Sequence, residues 1–175
     1  AIDLVVDHAE VLPLPAVRPG TLLGSGNVER IKHLIAQRAE AGDAPVDLVI
    51  LMLGINDLQG PLELSARHSA SGLWTLIDIV NRSAAGPQAG TPQCLVVVPP
   101  PIHEPQGFMG VFFEGREAES QQLAVQYRAI CEQTGTPVFF AGEVVQPSPV
   151  DGIHLDPQGQ RTLGTALAAR VREML

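Results

Sequence analysis

Asp151, His154 and Asn56 are the side chains whose types and spacing could do chemistry together. In Asp151-Gly152-Ile153-His154 a carboxylate stands three residues before an imidazole, in a loop ahead of a helical pattern. At that spacing the carboxylate can accept from one ring nitrogen and leave the other free as a general base. A lone D-x-x-H is more often a helix-start turn with an incidental histidine, so it gains meaning only from a second part. Asn56 is that part. It closes the stretch Asp47 to Asp57, DLVILMLGIND. A carboxamide at a strand tip can donate to an oxyanion, and one such donor is worth about 3 kcal/mol in an acyl transfer. The plainer reading is an Asn-Asp turn, common after strands, in which Asp57 serves the turn or caps the next helix.

The elements that must position these groups follow from the apolar pattern. Leu48 to Leu53 is a continuous apolar run, which predicts a buried parallel strand whose C-terminal tip carries Asn56. In open α/β sheets that edge is where ligands bind. Ahead of it, Ile2 to Val6 reads as a strand, and Asn27 caps a helix with Val28, Ile31, Leu34 and Ile35 on its apolar face. After it, Leu73, Leu76, Ile77 and Val80 mark a helix, with Trp74 beside the stripe and assigned to packing. Cys94 to Val98 is a third strand, stopped by Pro99 to Pro101. Ile102 to Gly115 reads as irregular. Its Phe108, Met109, Phe112 and Phe113 suit a loop tucked onto the core or an apolar wall over a pocket. A helix carrying Leu123, Tyr127 and Ile130 leads to the strand Pro137 to Phe140. Asp156 and Pro157 open a terminal helix with Leu163, Leu167, Val171 and Met174 buried. The β, α alternation predicts an α/β fold: one doubly wound parallel sheet with helices on both faces, in a single domain over residues 1–175.

Composition narrows the partners. The chain has 175 residues, 45% hydrophobic and 17% charged, which suits a globular domain with a sizeable core. A net charge of −8 argues against nucleic acid, because nothing would neutralise its phosphates. No apolar run is long enough to span a bilayer, and no signal peptide opens the chain, so a cytoplasmic location is expected. Cys94 and Cys131 fall in a strand and a helix and are expected to be buried free thiols, with no metal-ligand spacing around either. The chain starts at Ala1 rather than Met, which points to processing, truncation or an incomplete N-terminus.

With these residues in place, the chain resembles the SGNH, or GDSL-type, serine hydrolases: esterases, thioesterases and acyltransferases on a flavodoxin-like sheet. Gly54-Ile55-Asn56-Asp57 matches the family's G-x-N-D block and Asp151-Gly152-Ile153-His154 its D-x-x-H block. DLVILMLGIND, LVVVPPP, FEGREAE and VDGIH occur in the order of the arylesterase/acyltransferase branch. The resemblance implies a carboxylic ester hydrolase with His154 as base, Asp151 as its orienting acid and Asn56 as an oxyanion donor. It implies a small-molecule ester as substrate and no metal or organic cofactor.

Two departures accompany it. No Gly-Asp-Ser occurs in the chain, whereas the family's nucleophilic serine sits in that block after the first strand. The expectation is that these residues begin at the family's second strand, so that the first strand and its serine turn are missing. Ala9 also stands where the family's second block has a glycine, although its N–H can still donate. Ser25, in Leu22-Leu23-Gly24-Ser25-Gly26, imitates a nucleophile turn, but the strand before it is too short and a flexible helix start explains it better. The same glycines make a weak phosphate loop, with Glu29 where a third glycine belongs. His103 is either a pocket residue or a loop histidine, and His8, His33 and His68 are expected to face solvent without partners. A sheet without its central first strand would expose edges, so a neighbouring segment or homo-oligomerisation is expected to complete it. The alternative function is a non-catalytic ligand-binding relative. A nucleotide or phosphoacceptor module comes third, because it lacks a convincing acidic cluster or phosphate loop.

Overall fold

Alternation along the middle strand shows how the chain builds two layers of core. The computed structural model describes residues 45–175. Strand β2 (Gln93–Val98) sends Cys94, Val96 and Val98 to one face of the sheet and Leu95 and Val97 to the other, all buried. A strand covered on both faces must be apolar at every position, which is why its sequence shows no polar alternation. On one side β2 pairs in parallel with β1 (Leu48–Leu51), in the register Leu48 to Gln93 through Leu51 to Val96. On the other side it pairs in parallel with β3 (Val138–Phe140), Val96 to Val138 through Val98 to Phe140. The order within the described sheet is β1-β2-β3.

Helices α1 (Ala66–Arg82) and α3 (Glu117–Thr134) cover one face. The buried residues Ala70, Leu73, Leu76, Ile77 and Val80 of α1 meet Leu123, Tyr127 and Cys131 of α3 over Leu51, Cys94, Val96 and Val98. The other face is covered by α4 (Pro157–Met174), whose Leu163, Leu167 and Val171 pack over Leu48, Ile50, Leu95 and Val97. This is the doubly wound arrangement expected from the sequence. Asp156 caps α4 by accepting from the Gly159 N–H at 2.7 Å, with Pro157 in the first turn. Cys94 and Cys131 are buried and unbridged, and burial pushes the Cys94 thiol up to about 12 and the Cys131 thiol to about 11. No helix among the described residues is long and apolar enough to cross a membrane.

Five local expectations are corrected. The first described strand stops at Leu51 rather than Leu53, and the turn that carries Asn56 follows it. The stretch after β2 is not wholly irregular: Gly107–Phe113 forms a short helix, α2, which buries Phe113 and leaves Phe108 exposed. The cap of α1 is Ser65, not Asp57. Its hydroxyl accepts from the His68 N–H while His68 Nδ1 accepts from the Ser65 N–H at 3.1 Å, so His68 has a partner although it is exposed. Trp74 stands at the edge of α1 and is 46% exposed rather than packed. The expected strand Ile2 to Val6, the helix after Asn27, Ala9, Ser25, His8 and His33 lie outside the described residues.

Candidate active site

The segments that follow the three strands carry the groups singled out above. Because β1 and β2 are adjacent and parallel, the loops after them leave the sheet side by side at its C-terminal edge. The third segment, after β3, runs through a short turn at Ala141–Glu143 to the loop Ser148 to His154.

In that loop every acceptor of Asp151 is engaged. Its Oδ2 lies 2.6 Å from His154 Nδ1, and its Oδ1 accepts from the N–H groups of Ile153 and His154, both at 2.9 Å. Burial raises the Asp151 pKa, but the hydrogen bonds from the His154 ring and the two backbone N–H groups outweigh it and hold the carboxyl below its ordinary value. A carboxylate in that position selects the tautomer in which Nδ1–H donates and Nε2 keeps its lone pair. Nε2 has no hydrogen-bond partner among the described residues, and the His154 side chain is 56% exposed.

The loop after β2 is fastened onto this pair. The His103 N–H donates to the Gly152 carbonyl at 3.0 Å, and the Gln106 N–H to the Asp151 carbonyl at 3.1 Å. Gly152 makes that approach possible. Its φ is +73°, and a Cβ there would collide with the His103 and Glu104 carbonyl oxygens. Buried Ser148 closes the loop from beneath, its N–H donating to the His154 carbonyl at 2.7 Å and its carbonyl accepting from Gly152 at 2.8 Å. The part His103 plays here is therefore made by its backbone, while its ring is exposed.

Asn56 stands exposed at the start of a single 3-10 turn, Asn56–Leu58, and its carboxamide has no partner among the described residues. The residues around it are held firmly. Gly54 adopts φ +115°, and a Cβ on it would strike the Tyr127 hydroxyl. Asp57 Oδ2 accepts from the Ser69 hydroxyl at 2.6 Å, and Ser69 Oγ lies 2.7 Å from the Tyr127 hydroxyl. Burial raises the Asp57 pKa, and the Ser69 hydrogen bond only partly opposes it. Farther along, Arg116 Nε donates to the Leu58 carbonyl at 2.7 Å and its Nη2 to the Leu64 carbonyl, while Glu119 Oε1 accepts from the Ala66 N–H at 2.6 Å. Both residues belong to the FEGREAE stretch, so that block anchors the connection between β1 and α1. No local pattern in the sequence pointed to these four supports. Among the described residues no group of three His, Cys, Asp or Glu side chains could hold a metal ion.

The sequence model of the GDSL-like lipase/acylhydrolase family matches residues 18–162. The chain belongs to that family. Solved structures of esterases are similar to it. The inhibitor-bound aryl esterase of M. smegmatis is 34% identical with a TM-score of 0.77, over 85% of this chain and 68% of that one. Est24, a carbohydrate acetylesterase from Sinorhizobium meliloti, is 29% identical with a TM-score of 0.75 over the same shares, 85% and 68%. An acetylxylan esterase of Geobacillus stearothermophilus, at 16% identity and TM-score 0.53 over 80% of this chain and 65% of that one, shares the fold. A comparison with curated proteins found no match. The GDSL family match spans both Gly54 to Asp57 and Asp151 to His154, the two segments whose geometry is described above.

Proposed function

We propose that this GDSL-family chain is a carboxylic ester hydrolase for short acyl esters, working through a serine nucleophile, His154 as base, Asp151 as orienting acid and Asn56 as oxyanion donor. The observation that carries the reading is the Asp151–His154 pair: a 2.6 Å contact to Nδ1 with the second carboxylate oxygen pinned by two backbone N–H groups. The likeness to an aryl esterase and a carbohydrate acetylesterase supports small acyl groups.

In this reading the serine hydroxyl adds to the ester carbonyl as His154 Nε2 takes its proton, and the imidazolium that forms is stabilised by Asp151. The carbonyl oxygen becomes an oxyanion and accepts from the Asn56 carboxamide. Collapse expels the alcohol, which leaves with the proton from Nε2, and the acyl group remains on serine. Water, or another alcohol, then attacks the acyl-serine with His154 again taking the proton, and collapse expels the serine oxygen, which takes that proton back as the acid or new ester is released. Among the described residues no serine hydroxyl is hydrogen-bonded to His154, so the nucleophile is not assigned to a residue.

The test is a fluorophosphonate label together with hydrolysis of p-nitrophenyl acetate by the full-length protein. One labelled serine is expected, with loss of kcat of about 10⁴-fold or more in His154→Ala and about 10²- to 10³-fold in Asn56→Ala. Saturable ester binding with no label and no turnover would instead identify a non-catalytic binding relative.

A further inference from the structure

The Asn56 carboxamide has no polar partner among the described residues, yet an oxyanion donor acts only if its position is fixed before the reaction. The residues on either side of it converge on one buried hydroxyl pair. Ser69 of α1 is 4% exposed and Tyr127 of α3 is 1% exposed. Ser69 Oγ donates to Asp57 Oδ2 at 2.6 Å and lies 2.7 Å from the Tyr127 hydroxyl, which also reaches the Leu53 carbonyl at 3.3 Å. The polar atoms thus form one chain, Asp57–Ser69–Tyr127–Leu53, that begins just after Asn56 and ends just before Gly54. Between them, Gly54 lets the backbone pass over the Tyr127 hydroxyl at φ +115°, where no side chain fits.

We propose that Ser69 and Tyr127 are positioning residues for the reaction: their hydroxyl pair clamps both ends of the Gly54 to Asp57 turn and so fixes where the Asn56 carboxamide points.

Proton counting shows how the links of the clamp share their protons. Two hydroxyl protons serve three acceptors when Asp57 is ionised, and one link is then left without a proton. When Asp57 carries its proton, Asp57 donates to Ser69, Ser69 to Tyr127 and Tyr127 to the Leu53 carbonyl, so every link is made. Apolar groups alone would fill the same space without this directional hold. A tyrosine and a serine from two helices, facing the same turn, cost the core two buried hydroxyls that need partners.

The kinetic part of the inference rests on the esterase reading, so its test has two arms. In the first, Tyr127→Phe and Ser69→Ala are compared with wild type by hydrogen exchange. Exchange of the Ile55 to Gln59 amides is expected to rise about tenfold or more, with amides of β2 and α4 unchanged. In the second, p-nitrophenyl acetate kinetics are measured in a cycle with Asn56→Ala. Tyr127→Phe is expected to lower kcat roughly tenfold with KM within about twofold, and to add no further loss once Asn56 is gone. Asp57→Asn, which keeps an acceptor for Ser69, is expected to recover most of what Asp57→Ala loses. Unchanged exchange in the turn would overturn the clamp. Loosened exchange with equal kcat losses in both backgrounds would overturn its positioning role and leave a purely structural one. A wild-type protein that neither labels nor hydrolyses would overturn the esterase reading, and with it the role in catalysis, while the exchange arm still decides whether the clamp exists.

Discussion

Gly152→Ala tests whether the Asp151–His154 loop depends on its union with the loop after β2. Alanine at φ +73° costs about 1–2 kcal/mol in backbone strain alone. Its Cβ would also drive into the His103 and Glu104 carbonyl oxygens, so the two loops must part. Parting them breaks the His103-to-Gly152 bond at 3.0 Å and the Gln106-to-Asp151 bond at 3.1 Å. At about 1 kcal/mol for each net hydrogen bond, the sum is about 3–4 kcal/mol. For a chain of this size that corresponds to a fall in Tm of about 10 °C. The control is built into the same molecule. Gly164 lies in α4 with open space where a methyl group would stand, so Gly164→Ala should gain about 0.5–1 kcal/mol from helix propensity. Circular dichroism melts of wild type and both variants read the two signs together. A Gly152→Ala protein melting within about 2 °C of wild type would refute the reasoning, because the loops would then part without cost.

The two perturbed aspartates give opposite pH dependences. Asp151, held below its ordinary value, contributes stability at neutral pH that is lost as pH falls through its depressed folded pKa. Asp57, raised by burial, contributes stability in acid that is lost as pH rises through its raised folded pKa. Asp57→Asn should therefore flatten the loss in urea midpoints measured from about pH 4 to pH 8. Arg116→Ala removes donors to the Leu58 and Leu64 carbonyls and should cost about 2–3 kcal/mol in urea unfolding, with Arg116→Lys recovering less than half because an ammonium lacks the two-pronged geometry. Asp156→Ala should lower stability by about 1 kcal/mol through loss of the α4 cap, read by the same unfolding curves.

What the sequence revealed depended on how local the cause was. Strand β2 was legible because a strand buried on both faces must be apolar throughout, and Pro99 to Pro101 marked its end. Helix α4 was legible because Asp156, Pro157 and a stripe of spaced apolar residues all agree. Asp151 and His154 were legible as a pair because only three residues of loop separate them, although the bonds that fasten that loop to its neighbours were not. Helix α2 was missed because Gly107 and Gly110 speak against a helix and only Phe113 among its aromatics is buried, so no apolar stripe announces it. The cap at Ser65 was hidden because His68 takes the place where a Glu or Gln usually completes the box. Ser69 gave no signal, and Tyr127, Arg116 and Glu119 stood out only as a helix-face residue and as members of FEGREAE, with no hint of what they hold. Each acts on a residue far away in sequence, and an isolated helix carrying any of them looks ordinary.

That long reach bears on the order in which the molecule can assemble. The bonds that hold the turn and connection after β1 span 74 residues from Tyr127 to Leu53, 58 from Arg116 to Leu58 and 53 from Glu119 to Ala66. During synthesis, the Asn56 turn emerges long before the helix that secures it, and closing so wide a loop must wait for α3 to dock. The D-G-I-H loop, by contrast, makes its carboxylate–imidazole contact across only three residues, and it is synthesised after α3. One side of the site is thus set by a local contact. The other is completed only when α1 and α3 meet on their shared sheet face, which makes α3 docking the step at which a folded chain becomes a competent one.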